Sequence, residues 1–301
     1  MGIVRLAGAD RVDWLQGMIT NDVETLSSGE GCYAAHLNAQ GKVVAQMVVL
    51  VGAEELFLLI EKEAAAKLTT VFDRLIIMED VQASDLSADF EVLAVVGPRA
   101  PAVLETWAGE ALPMTALYSH VSLPRARVLL SDLGYKLIVP RASAQTILGE
   151  VAAAGATPAT RDTWEVLRTE AGLPVYGIDI DETTTLPELG QRGISYDKGC
   201  YIGQEVVARI KYIGHVNRRF VGFVCDGKEV PENRYAVQLQ GKDVGYVTTG
   251  VFSPTLGKAI ALGFVSRAAA EPNTHVVLAG KGRVISAQVA KLPFVPTRFA
   301  G

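Results

Sequence analysis

Residues 244–265, VGYVTTGVFSPTLGKAIALGFV, hold two apolar, β-branched segments separated by Ser253-Pro254-Thr255 and Gly257. That pattern predicts strands over 243–249 and 259–265 joined by a turn. Working outward, 218–225, 234–240, 274–279 and 283–290 repeat the theme, with Gly, Pro and Asn between them and no helical segment. The region from about residue 218 is therefore expected to be a small all-β domain, a barrel or a sandwich. Upstream, 43–51 and 55–61 read as strands around a turn at Gly52, and helix formers fill 62–78. Residues 90–96 read as a buried strand, and Gly97-Pro98 opens a helix to about Trp107. A hairpin over 125–130 and 134–139 and a helix over 142–154 follow. Strands and helices alternate without a strict βαβ rhythm, so an α+β region with an antiparallel sheet is expected.

The chain has 301 residues, 49% hydrophobic and 20% charged, with a formal net charge of −5. At roughly 150 residues per domain this suits two domains, or three small ones. The composition excludes a disordered chain, a coiled coil and a collagen-like repeat. The acidic balance argues against general binding to nucleic acid. The longest nearly apolar stretch, Val43 to Ala53, contains Gln46 and falls well below the ~20 residues a membrane span needs. No membrane association and no signal peptide are expected, which points to the cytoplasm. Cys32, Cys200 and Cys225 are odd in number and form no CxxC pair, so neither a disulfide framework nor a self-contained zinc site is expected. Cys32 and Cys225 lie in strand-like apolar surroundings and read as structural thiols. His36, His120, His215 and His275 lack any metal spacing, and no metal site is expected. Asp179, Asp181 and Glu182 read as a solvated acidic loop.

The clearest helix covers 160–171, TRDTWEVLRTEA. Asp162 with Glu165 resembles a capping box, and Gly172 and Pro174 supply the stop. At about 100° per residue from Trp164, Glu170 falls near 240°, between Val166 and Leu167 in the apolar arc, while Arg161, Glu165 and Arg168 take the other side. A carboxylate aimed at an apolar face is costly without good partners. Glu170 is either a solvated or Arg-paired end of the helix, or an acceptor for two parallel N–H donors of a ligand.

Residues 198–205, Lys-Gly-Cys-Tyr-Ile-Gly-Gln-Glu, suggest a tight loop ahead of a helix that begins near Gln204. Cys200 would sit just before that helix N-terminus and two residues from Lys198. Both features favour a thiolate, and the alternative is a buried structural thiol. Residues 209–219, RIKYIGHVNRR, form a local basic patch suited to an anionic small-molecule tail, or a solvated strand face. No Walker A or GxGxxG element is present.

The segment KGCYIGQEVVAR resembles the signature of YgfZ-type folate-binding proteins, a branch of the glycine-cleavage T-protein (aminomethyltransferase) superfamily. WLQGMITNDV (14–23), HLNAQGKVVA (36–45), RTEAGLPVYGIDI (168–180), LPELG (186–190) and residues 244–265 resemble further blocks of that superfamily in the same order. The resemblance implies an α+β, three-lobed ring. Its lobes would be 1–42 plus 155–215, discontinuous and folate-binding; 43–154, ferredoxin-like and inserted; and 216–301, a C-terminal antiparallel β-barrel. It implies tetrahydrofolate or a folate derivative as cofactor, with Glu170 accepting the paired donors of the pterin ring. Asn21, Tyr176, Tyr201, Gln204 and Arg209 are further folate-contacting candidates on the matching blocks. Aminomethyltransferases share a GG-x-x-DD block, and here Gly41-Lys42-Val43-Val44-Ala45-Gln46 places Ala and Gln at the carboxylate positions. Neither can move a proton or stabilise a cation as aspartate does. The implied function is a folate-binding accessory protein for iron–sulfur cluster assembly or repair, linked to tRNA-modification enzymes. Its partners would be iron–sulfur client or assembly proteins, with Cys200 as the reactive group aided by Lys198. The alternatives are a folate-dependent aminomethyltransferase or other C1-transfer enzyme, and an interaction scaffold with a vestigial pocket.

Overall fold

The computed structural model describes residues 1–296; the last five positions of the expected 216–301 lobe lie outside the described residues. The chain forms two compact units, the first made of residues 1–158 and 192–204, the second of 159–191 and the chain from 205 onward.

In the first unit the elements run β1 (Gly2–Ala7), α1 (Arg11–Gln16), β2 (Gly31–Leu37), β3 (Val43–Val51), β4 (Glu55–Ile60), α2 (Lys62–Leu75) and β5 (Gln82–Asp85). They continue with β6 (Phe90–Val96), α3 (Ala100–Ala108), β7 (His120–Leu123), β8 (Ala126–Ser131), β9 (Gly134–Pro140) and α4 (Ala144–Ala153). The strands make a five-stranded sheet in the order β2-β3-β4-β1-β5 and a four-stranded sheet in the order β6-β9-β8-β7. The uninterrupted apolar run of β4 follows from burial on both faces. Leu56, Leu58 and Ile60 join a core with Trp14, Leu15 and Phe72 from α1 and α2. Phe57 and Leu59 face the other way and pack with Leu129 and Ile138 of the second sheet. Phe72 is fully buried and meets the Trp14 ring edge-on at 4.9 Å and the His36 ring at 5.3 Å.

The second unit holds α5 (Arg161–Glu170), all of α6 (Gln204–Tyr212) beyond its first residue, and strands β10 (Arg218–Cys225), β11 (Ala236–Leu239), β12 (Lys242–Ser253), β13 (Lys258–Ser266), β14 (His275–Gly280) and β15 (Arg283–Ala290). These six strands close into a barrel in the order β10-β13-β12-β11-β14-β15, with every pairing antiparallel. Alternate residues Val221, Phe223 and Cys225 of β10 point into its core with Val237, Val247, Leu278 and Val289. The period-2 alternation of the sequence is thus the inside–outside alternation of a closed sheet, which leaves no edge to protect. Cys32 and Cys225 are buried, as their surroundings suggest, and burial pushes their thiols up to about 12 and about 11 respectively. No helix among the described residues is long and apolar enough to cross a membrane.

His120 ties the two sheets of the first unit together. Its Nε2–H donates to the Val51 carbonyl at 3.1 Å, and Arg127 donates to Nδ1 at 3.3 Å. The contact at Nδ1 requires a neutral ring, and burial with the Arg127 charge pulls the imidazole down to about 4. Between pH 6.5 and 4 the unfolded chain therefore binds a proton that the folded chain refuses, and stability falls as the pH falls. The expected loss is roughly 2 kcal/mol across that window, less than full linkage because nearby solvent screens the charge. In urea titrations at steps from pH 7 to pH 4, His120→Gln is expected to flatten this dependence, since Gln can keep both hydrogen bonds without titrating.

Candidate functional site

The candidate groups fall in both units. In the first, the segment 192–204 is held by buried polar contacts to the stretch after α1. Thr20 Oγ1 donates to the Gly193 carbonyl at 2.6 Å and accepts from Ala35 N at 2.9 Å. Ser195 N donates to Thr20 O at 2.9 Å, and Ile202 N to Gly17 O at 3.2 Å. Lys198 is the central tie: its Nζ donates to the carbonyls of Gln16 at 2.6 Å, Ile19 at 2.8 Å and Asn21 at 2.9 Å. An ammonium has three donors, and all three are taken. Burial pulls this ammonium down to about 8, opposed by the charge of Asp22. The three carbonyls favour the charged form for a further reason: a neutral amine could not serve them all.

This differs from the role that the spacing suggests. Lys198 and Tyr201 turn inward, and burial pushes the Tyr201 phenol up to about 12. Cys200 between them is exposed, so it is not the buried structural thiol that was its alternative. Lys198 thus acts as the anchor of the loop, and its donors do not go to Cys200. Gly203 closes the loop at φ +82°, where a Cβ would lie 2.6 Å from the Asn38 carbonyl oxygen; only glycine permits that approach. Gln204 then opens α6, its N–H on the Tyr201 carbonyl at 3.2 Å. Asn21 spends both ends of its amide locally, donating to Tyr33 O and accepting from Asp22 N, each at 2.9 Å.

In the second unit the chemistry gathers at the end of α5. The helix begins two residues earlier than the Asp162–Glu165 pair implies: Thr160 is the N-cap and accepts from Thr163 N at 3.4 Å. Its end is the one that Gly172 announces. Gly172 has φ +68°, its N–H reaches Thr169 O, and Leu173 N reaches Arg168 O, both at 2.9 Å, which is a Schellman stop. Arg168, expected on the polar side, is only 1% exposed and is a cornerstone of this unit. Its guanidinium donates to Glu165 at 2.6 Å, Asp179 at 2.9 Å, the Leu173 carbonyl at 3.2 Å and Thr249 Oγ1 at 3.1 Å. Asp179, expected in a solvated acidic loop, is likewise buried. It also accepts from Val175 N at 3.0 Å, Thr248 at 2.6 Å and Thr249 at 2.7 Å. Neighbouring residues of a strand normally face opposite ways. A register shift between Val247 and Thr249 in β12 brings both threonine hydroxyls onto the same carboxylate oxygen of Asp179.

Glu170 follows in the same turn and is 6% exposed. Ser253 Oγ donates to its Oε1 at 2.5 Å and Thr255 Oγ1 to its Oε2 at 3.1 Å. Its own carbonyl accepts from Phe294 N at 2.9 Å and Val295 N at 3.1 Å. A carboxylate offers about four acceptor positions, so two remain for a ligand. Tyr176 lies in the loop after α5, bridged to Ile180. Arg209 is exposed on α6 and pairs with Glu205 at 2.5 Å. Ala45 of β3 is buried in the apolar core, and Gln46 carries a buried Nε2 with no hydrogen-bond partner. Among the described residues no group of three or more His, Cys, Asp or Glu could hold a metal ion.

Removing one partner of a buried ion pair strands the other, at a cost of about 3–5 kcal/mol. Arg168→Met is therefore expected to lower unfolding stability by that amount in chemical denaturation. Glu205→Ala, which breaks only the exposed pair with Arg209, should change it by less than about 1 kcal/mol. Equal effects would contradict this account of the network.

Residues 1–194 match the GCVT N-terminal domain family, and residues 218–296 match the glycine cleavage T-protein C-terminal barrel domain. A protein of Shouchella clausii named aminomethyltransferase is 31% identical over 98% of this chain and 84% of its own length. A Chloroherpeton thalassium protein of the same name is also 31% identical, over 98% of this chain and 85% of its own. The crystal structure of glycine cleavage system aminomethyltransferase T from Bartonella henselae superposes with a TM-score of 0.88, at 21% identity, over 100% of this chain and 85% of that one. The chain belongs to the glycine-cleavage T-protein family and has its mixed α+β fold, completed by the closed six-stranded C-terminal barrel.

Proposed function

We propose that this chain is a tetrahydrofolate-binding protein of the YgfZ-type branch. It serves as an accessory factor for iron–sulfur cluster assembly or repair rather than as a glycine-cleavage aminomethyltransferase. The observation that carries the folate half is Glu170, a buried carboxylate held by two hydroxyls with two acceptor positions to spare. That donor set fits the group. A pterin presents its 2-amino group and ring N3–H as adjacent, parallel donors, and a fixed carboxylate takes both. Bound tetrahydrofolate would supply ring nitrogens that carry or release one-carbon units; the protein's part is to bind and orient the ring.

The reaction class turns on Ala45 and Gln46. Where the family's aminomethyltransferases carry carboxylates, this strand offers a methyl group and an amide, and neither exchanges a proton near neutral pH. Cys200 is then the exposed group left to do covalent work, on a loop fixed by Lys198. A single thiol cannot supply the ligands of a cluster, so Cys200, on losing its proton to solvent, would hold an iron ion as a thiolate only in transit to a client. Folate-dependent C1 transfer is the second reading. It is favoured by the relatives' names, which support it more directly than they support the accessory role.

Calorimetry with tetrahydrofolate tests the first half. Glu170→Ala is expected to weaken binding by at least about 1.5 kcal/mol, the value of a hydrogen bond to a charged group. Unchanged affinity would remove Glu170 from the pocket. Assay of methylenetetrahydrofolate formation from an aminomethyl donor separates the two readings: no turnover is expected, and clear turnover would establish the second. In cells, Cys200→Ala is expected to impair iron–sulfur enzymes, and full support by that variant would overturn the accessory role.

A further inference from the structure

We propose that Ser253 and Thr255 are positioning residues that set ligand specificity: they orient the Glu170 carboxylate so that it accepts a ligand edge with two parallel N–H donors and rejects one with a single donor. The inference rests on the folate reading above and adds the residues that make Glu170 selective.

Ser253 ends β12 and is fully buried. Its hydroxyl accepts from Leu256 N at 3.0 Å, and its single proton goes to Glu170 Oε1 at 2.5 Å. A carboxylate only accepts, so the direction of that bond is fixed. Gly257 N returns to the Ser253 carbonyl at 2.9 Å, which locks the turn that carries Thr255. Thr255 Oγ1 then donates to the other oxygen, Oε2, at 3.1 Å. Each carboxylate oxygen thus has one hydroxyl and one remaining acceptor position, and rotation about the last side-chain bond would break both hydroxyl contacts. The backbone below is held as well, since the Glu170 carbonyl carries two N–H donors, from Phe294 and Val295.

The chemistry of the two vacant acceptor positions follows from this. A 2-amino-4-oxo pteridine meets both with N–H. A 2,4-dioxo pteridine of the same outline offers one N–H beside a carbonyl oxygen, which faces a carboxylate oxygen that cannot turn away. Without the hydroxyls the carboxylate could rotate toward water and spare itself the mismatch, so selectivity would fall even where affinity changes little.

The test is displacement of bound 5-formyltetrahydrofolate by 6,7-dimethylpterin and by 6,7-dimethyllumazine, in wild type, Ser253→Ala, Thr255→Val and Thr255→Ser. The readout is the ratio of the two displacement constants, which a purely structural role would not move. Wild type and Thr255→Ser are expected to prefer the pterin to the same degree, and Ser253→Ala and Thr255→Val to lose about tenfold of that preference. Wild-type preference retained in both hydroxyl-free variants would overturn this inference and leave the folate reading standing. Failure of wild type to bind any of the three compounds would overturn both. Thr255 is exposed, so Thr255→Val keeps the test decisive should Ser253→Ala fail to fold.

Discussion

The buried pairing of Arg168 with Asp179 is the interaction on which the second unit turns. Taking both charges out of water costs several kcal/mol per ion, and attraction between them offsets this only when every remaining donor and acceptor is met. Here each is met in a particular way. The guanidinium reaches two carboxylates, a carbonyl and a hydroxyl, while Asp179 collects a backbone N–H and two threonine hydroxyls. These partners come from α5, from the loop after it and from β12. The pair therefore fixes the last turn of the helix against a barrel strand, and Glu170, two residues on from Arg168, inherits that placement. The β12 irregularity has the same origin: without it only one of Thr248 and Thr249 could face the carboxylate.

The first unit uses a related device, a buried cation met by carbonyls in place of carboxylates. Lys198 places a cation among three carbonyls of the 16–21 stretch and so ties the loop around it to that stretch. Cys200 is presented on that fixed loop as an exposed thiol, while the competing thiol, Cys32, is buried and pushed up to about 12. In both units a buried charge does structural work, and a neighbour a residue or two away is left with chemical capacity to spare. That arrangement supports reading Glu170 and Cys200 as the working groups, and Arg168 and Lys198 as what holds them.

The barrel and α5 are legible in the sequence because each repeats one physical rule many times. Alternation at period two and recurrent turn residues mark β10 to β15, and a 3.6-residue stripe with a glycine stop marks α5. What escapes are features decided by a single distant partner. Arg168 sits on the polar side of a helical wheel, and nothing local announces that Asp179, 11 residues on, and Thr249, 81 residues on, will bury it. Lys198 lies two residues from Cys200 in sequence but spends its donors on carbonyls about 180 residues away. Strand β5, Gln82–Asp85, has the composition of a loop and is a strand only because β1 offers it an edge. The first 40 residues suffer most, since β1, α1 and β2 are each seven residues or fewer and give periodicity little length to act on.

Gln46 carries the argument about chemistry one step further. It stands directly across from Ala35 on β2, and its Nε2 is buried without a partner. An unmet buried amide costs about 1–3 kcal/mol, and a hydrophobic residue at this position would relieve it. Ala45 beside it belongs to the apolar core, so this strand accepts an apolar residue at one of the two positions where the resemblance implies carboxylates. The second position keeps a polar side chain, but an amide does not exchange protons near neutral pH as a carboxylate does. A strand that keeps polarity and lacks acidity at these two positions is the feature that separates the two readings proposed above, ligand binding alone or C1 transfer.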